Sequence, residues 1–316
     1  MPTMTLVEYA KGAPAGQANV PYIEMFARSS DVLEALPFEG LTGPVYEGTK
    51  SAALPSVAFR GINENSTSGL GRVETYQEAT YVVDHDIDVD DAIIRRNGME
   101  RRTREEALAM TALGRLFLDT FIKGDNTTNP REFSGLQKRC DQYSNRKLAA
   151  GSTSGGDALS LSKLDEAINR VNAGTGRKYI IAPLAMRPRF IAAARNTNLT
   201  GFVTQTWDDI GRPKTSYAGI PILFGYEPDK HATFMPFTEA CPGGGATGAS
   251  IYVVALGGDR VRGIQLKEMG AEDVGRVLTG TKPVYRTHVS WDVGIVDEHD
   301  YGVCRLWGVK DAAIVA

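Results

Sequence analysis

Residues 99–136, MERRTREEALAMTALGRLFLDTFIKGDNTTNPREFSGL, constrain the chain more than any other stretch. Ala107, Met110, Leu113, Phe117 and Phe121 recur at steps of three and four, with Leu108, Ala112 and Leu116 alongside. That period lays one broad apolar stripe along a helix and turns it toward a core. Arg101, Arg102, Arg104, Glu105 and Glu106 make the first turns polar enough to be wet. The helix is predicted over 99–123, stopping at Gly124 in the left-handed conformation that ends many helices. At about 1.5 Å per residue, roughly 25 residues make a rod of nearly 40 Å, longer than a compact domain needs. The excess length points to a use beyond a local core.

The 316 residues, 42% hydrophobic and 23% charged, suffice for one large or two modest domains with a substantial core. A formal charge of -3 argues against a dedicated nucleic-acid or membrane-surface binder, which shows a net basic face. No apolar run approaches membrane-span length, and residues 1–17 lack the apolar centre of a secretory signal, so synthesis is expected in a cytoplasm. Cys140, Cys241 and Cys304 are widely spaced with no CxxC among them, and read as reduced structural thiols.

Residues 1–40 carry apolar clusters at 6–9, 22–26 and 32–36, each too short to offset its own ordering entropy. They read as an arm lying against something else. From 41 to 90 the period changes to two. A strand is expected over 57–62, turn chemistry over 63–72, and a second long extended stretch over 73–89. A two-stranded hairpin is marginal alone in water, nothing adjacent in sequence is built to cover it, and its edges invite a neighbour.

The end of that second stretch alternates strictly, placing Asp84, Asp86, Asp88 and Asp90 on one face and Val83, His85, Ile87 and Val89 on the other. Clustered carboxylates suit a hard cation, but a ligand loop curls round its ion and a straight strand does not. A solvated or intersubunit acidic face is favoured, with Arg95, Arg96, Arg101 and Arg102 as candidate partners within the chain, or basic residues of a neighbouring copy. Asp90 or Asp91 is expected to cap a short helix ending at Asn97-Gly98.

After the long helix, 124–135 reads as an ordered turn, 137–156 as a polar connector, and Gly151 to Gly156 as the most flexible stretch, hence a domain boundary. Beyond it, Ser160 or Ser162 caps a helix through Leu164, Ile168 and Val171 to Gly174. A strand over 178–182 and a helix after Pro183 through Met186, Phe190, Ile191 and Ala194 follow. Further strands at 219–224 and 250–256 complete a small α/β or α+β unit. Residues 265–268, 282–295 and 301–309 are extended, with the sheet beside the long helix as their expected partner.

Catalytic signals are missing. Gly243 to Gly248 is followed by a strand pattern where a phosphate cradle needs a helix, so it reads as a surface loop. His85, His231, His288 and His299 have no metal-ligand spacing, and Ser134 and Ser216 lack a nucleophile elbow. Cys304 sits in an apolar strand pattern that suits an inert thiol better than a partner for His299 or His288. Trp207, Trp291 and Trp307 form no stacking platform. No catalytic, cofactor-binding or metal residue is assigned.

The order of parts is what carries meaning: an arm, a protruding hairpin, an Asp-rich strand, and a long helix closing in Phe121-Ile122-Lys123-Gly124-Asp125 and then Phe133-Ser134-Gly135-Leu136. A middle unit with 178–182 and Ala218-Gly219-Ile220-Pro221-Ile222 follows, then returning strands. This order resembles the major capsid protein of tailed phages, the Hong Kong 97-type fold. The resemblance implies an α+β protein with an N-terminal arm (1–40), an extended hairpin loop (41–83) and a peripheral domain (84–156 with 263–316) that includes a spine helix (99–123). An axial domain (157–262) completes it. It also implies no enzymatic activity, and self-assembly as pentamers and hexamers into an icosahedral virion shell enclosing DNA. Scaffolding, portal and cement proteins are implied partners. Some members weld the loop through a lysine and an asparagine, whereas residues 63–72 contain no lysine, which favours noncovalent contacts. An encapsulin shell and an enzyme of unknown class are the rival readings.

Overall fold

In the computed structural model the chain is described over residues 4–8, 26, 30–196, 203–207, 213–226, 233–280 and 282–315. Most of the arm, including the cluster at 22–25, therefore lies outside the described residues, as does His231. The elements are, in order, β1 (Met4–Thr5), α1 (Asp31–Ala35), β2 (Pro37–Gly40), β3 (Val45–Ala53), β4 (Arg72–Ala79), β5 (Tyr81–Asp90), α2 (Asp91–Asn97), α3 (Glu100–Lys123) and α4 (Leu136–Asp141). Then come β6 (Lys147–Ala149), α5 (Leu161–Arg170), β7 (Arg177–Ile181), α6 (Arg187–Arg195), β8 (Val203–Trp207), β9 (Pro213–Tyr217) and β10 (Ile220–Leu223). The chain closes with β11 (Ala249–Leu256), β12 (Val261–Thr279), β13 (Lys282–Asp297) and β14 (Val303–Val309).

Among the described residues twelve strands make one sheet, while β3 and β4 form a two-stranded sheet of their own. The long antiparallel ribbon β12–β13 is its backbone: β13 pairs on its other side with β5 over ten residues, and β12 takes β2 in parallel. The last strand, β14, lies between β11 and β6. The C-terminal strands thus return to the sheet beside α3, as their extended pattern predicts.

Helix α3 forms where the period places it, 24 residues long, and buries Met110, Leu113, Phe117, Leu118, Phe121 and Ile122. Phe117 is the pivot of an aromatic cluster, 5.0 Å from Trp291 of β13, 5.7 Å from Phe133 and 6.0 Å from Phe38 of β2. Phe26 meets the Trp291 edge at 5.1 Å. Offset and edge contacts of this kind add to the area each ring buries. The stripe is narrower than predicted. Leu108, Ala112 and Leu116, one helical face four residues apart, are exposed because the sheet covers only the opposite side.

Gly124 ends the helix, but not by a left-handed turn; its φ is -50°. A Cβ there would collide with the carbonyls of Phe133 and Thr120, and one on Gly135 would sit 2.5 Å from the Thr120 carbonyl. Gly135 N–H donates to Gly124 O at 2.8 Å, so two glycines let the chain cross itself backbone to backbone. Asp125 holds the turn between them by accepting from Thr127 N (3.0 Å) and Lys138 Nζ (3.1 Å).

Two further expectations fail. Residues 57–62 are not a strand; the hairpin forms earlier, from β3 and β4, because Tyr46 and Tyr76 share its body-facing side and fix that register. Residues 54–71 instead make an exposed loop. The Gly151 to Gly156 stretch is not a free linker either. Gly155 N–H donates to Gly244 O at 2.8 Å, Thr247 Oγ1 donates to Gly155 O at 3.0 Å, and Asp157 accepts from Thr153 N at 3.0 Å. Both glycine-rich loops are locked against each other. Elsewhere Asp90 caps α2 through Ala92 N at 2.7 Å and Gly98 ends it with φ 77°, as the spacing implies.

Candidate assembly surface

Along β3 and β4, Tyr46, Gly48 and Lys50 fall opposite Glu78, Tyr76 and Glu74, and in an antiparallel pair these share one face. That face is half-buried against the body, while Val45, Thr49, Val73 and Thr75 point to solvent. The root is fastened by charge. Arg139 grips Glu78 with both terminal nitrogens, at 2.5 and 2.8 Å, and donates Nε to Ser134 O at 2.8 Å. Arg262 of β12 donates to Glu298 (2.7 Å) and to Tyr46 Oη (2.8 Å), and Tyr46 Oη donates to Glu298. The Arg262 guanidinium and the Tyr46 hydroxyl hold the Glu298 carboxyl below its usual range against the burial that raises it.

Past Lys50, which pairs with Asp300 at 3.3 Å, the end of the hairpin stands in solvent. Leu54, Val57, Phe59, Ile62 and Leu70 are all exposed, Phe59 at 108% of its reference area. Fully burying a side chain of this size is worth about 1.5–3 kcal/mol, so five on one loop are a surface waiting for a partner. A second apolar surface lies on α3, where Leu108 and Leu116 are exposed, Leu116 beside the exposed Val82 of β5. Leu116, Phe117, Tyr81, Val82 and Phe133 line a cleft of about 260 Å³ there.

The acidic strand face exists, with partners other than those predicted. Asp88 receives both Arg286 Nε and Nη2 at 2.7 Å, and His288 Nδ1 meets Asp86 at 2.6 Å. Both basic residues stand on the neighbouring strand β13, about two hundred positions later. The Arg286 guanidinium holds the Asp88 carboxyl below its usual range. Arg95 turns back to Asp91 (3.2 Å), Arg101 to Glu105, and Arg102 is buried between Glu106, Thr287 and Asp273. Within the chain Asp86 and Asp88 are therefore already paired, which removes the main reason to look for their partners on another copy.

No reactive group emerges from the remaining candidates. Burial pushes the Cys304 thiol up to about 11 and the Cys140 thiol well above its usual value. His299 Nδ1 accepts from Tyr301 N at 3.1 Å, and Ser134 Oγ donates to Asn126 Oδ1 at 2.7 Å. Trp291 is in the core and Trp307 lies under Lys147 Nζ at 4.1 Å. Among the described residues no group of three or more His, Cys, Asp or Glu is arranged to hold a metal ion, and no helix is long and apolar enough to cross a membrane.

The family model for major capsid protein GP7 matches residues 14–162. The chain is similar in fold to the capsid of an empty GTA particle, with a TM-score of 0.59 and 10% identity over 89% of this chain and 90% of that one. The chain has the Hong Kong 97-type fold. A structure from Microbacterium phage Oxtober96 matches it with a TM-score of 0.61 and 12% identity over 88% and 90% of the two chains. The holo-SrpI encapsulin complex from Synechococcus elongatus matches the chain with a TM-score of 0.61 and 13% identity over 98% and 97%. No curated protein sequence matches it. Sequence reasoning missed the root of the hairpin, Arg139, Arg262 and Glu298, because no local signal links residues 61 to 252 positions apart.

Proposed function

We propose that many copies of this chain assemble as pentamers and hexamers into the icosahedral shell of a tailed double-stranded DNA bacteriophage. The observation that supports this best is the loop at 54–71: five large apolar side chains that stand exposed, with none of the described residues covering them. The hairpin of one copy lies over its neighbour, and the exposed face of α3 beside Val82 is a surface of matching character. Residues 157–262 act as the axial domain around the local symmetry axes. Residues 84–156 with 263–316 form the peripheral domain, and 1–40 the arm. The shell encloses the genome without reading its sequence, assembles in the host bacterial cytoplasm, and works with scaffolding and portal proteins. The loop contains no lysine, so its contacts are noncovalent or reinforced by a cement protein. The role is structural, with no catalytic step.

Light scattering and negative-stain microscopy of the full chain, with any scaffolding partner, test this reading. Rings or shells are expected, and a stable monomer at micromolar concentration would overturn it. The near-complete match to the encapsulin chain favours a second reading, a bacterial nanocompartment shell. Purified particles carrying an enzyme cargo and no DNA would select that one.

A further inference from the structure

Among the described residues, β3 and β4 pair only with each other, so the hairpin adds no rung to the main sheet. Its backbone joins the body through residues 41–44 on one side and Thr80 on the other. Side-chain chemistry at the root adds to those backbone ties, and one residue there has four hydrogen-bond partners. Arg262, 6% exposed, donates Nε to Glu39 Oε2 at 2.6 Å, Nη2 to Glu298 and to Tyr46 Oη, and Nη1 to Gly258 O at 3.0 Å. Its guanidinium also lies 5.2 Å from the centre of the Tyr46 ring. Glu39 is on β2, at the end of the N-terminal segment; Tyr46 is on the hairpin; Glu298 follows β13.

We propose that Arg262 couples the N-terminal segment to the hairpin, so that displacing β2 with its Glu39 releases Tyr46 and lets the hairpin change its angle to the body. The physical reason is the rigid planar fork of the guanidinium, whose donor directions are fixed relative to one another. A shift of the Glu39 carboxylate cannot be followed at Nε without turning Nη2 away from Tyr46. A lysine ammonium has three donors but on a single atom, and cannot span the separate positions of Nε, Nη1 and Nη2. The Lys50–Asp300 pair (3.3 Å) sits on the same hairpin face but shares no atom with this junction.

The test measures an angle rather than a stability. Spin labels are placed through Thr75→Cys, exposed on the outer face of β4, and Thr103→Cys, exposed on α3; the native cysteines are buried. Labelled full-length chain is diluted into unlabelled chain, so only distances within one molecule are read and the result does not depend on whether shells form. The parent is expected to give one narrow distance distribution. Glu39→Gln, Tyr46→Phe and Arg262→Lys are each expected to shift or broaden it at least about twofold, with loss of a charge-assisted bond moving the held-to-released ratio by about tenfold. Lys50→Met is expected to leave it narrow. An unchanged distribution in Glu39→Gln and Tyr46→Phe, at an unchanged melting midpoint, overturns the proposal. So does broadening in Lys50→Met equal to theirs. If Arg262→Lys does not fold, the other two variants decide.

Discussion

Two stretches of this protein exchange the roles their compositions suggest. Gly151 to Gly156 with Gly243 to Gly248 is small and polar, yet it is interlocked backbone to backbone, and a Cβ on Gly243 would collide with Ser152, Thr153 and Ser154. The loop at 54–71 is rich in large apolar residues and stands in solvent. Order follows from whether a partner surface exists, not from hydrophobicity alone. The glycines find theirs within the chain because the absence of a side chain lets two backbones meet. The apolar loop must find its own elsewhere.

This contrast can be broken. The largest effect is expected for Gly243→Ala, about 3 kcal/mol or more of lost stability, because the obstruction is backbone that cannot rotate away. Gly61→Ala on the outer loop meets only the mobile Glu64 carboxylate and is expected to stay within about 0.5 kcal/mol, both read by denaturant melts. Were the two equal, the interlocking would be wrong. Next in size, Phe59→Ser is expected to leave the melt of the free chain unchanged and to raise the concentration needed for assembly about tenfold or more, since each buried side chain is worth about 1.5–3 kcal/mol. Sedimentation across a dilution series reads that directly.

A smaller effect sharpens the comparison at a third place, the paired acidic strand. The Asp88 carboxyl lies below its model-peptide value of 3.8 because of Arg286, so the folded state binds fewer protons. The stability it contributes is present above that value and is lost as pH falls through the lower folded one. Arg286→Gln is expected to reduce the acid-side loss only slightly, the smallest effect of the set, because the pair is solvated. Melting midpoints of both proteins between neutral pH and pH 3 measure it.

What could be read in advance was whatever a local period or cap encodes. Helix α3, the Asp90 cap, the strict alternation of β5 and the α5 and α6 helices all follow from neighbours within a few turns. The hairpin was legible as an element without a partner, but its register was not. Residues 57–62 have strand-favouring side chains, and the choice of Val45–Ala53 instead was made by facing tyrosines and by charges hundreds of positions away. The partners of Asp86 and Asp88 were hidden for the same reason. Leu108, Ala112 and Leu116 belonged to the right helix and the wrong face, since a periodic stripe says which residues align and not how wide the covering sheet is.

One consequence concerns force. Only Thr80 separates β4 from β5, and β5 is bonded to β13 through ten consecutive residue pairs. A neighbour pulling the hairpin along the axis of β5 would load those rungs in parallel, like stitches in a lap seam, and none could yield before the rest. The same pull directed sideways would open them singly from the Tyr81 end, so the joint is strong for tension along β5 and weak for peeling across it.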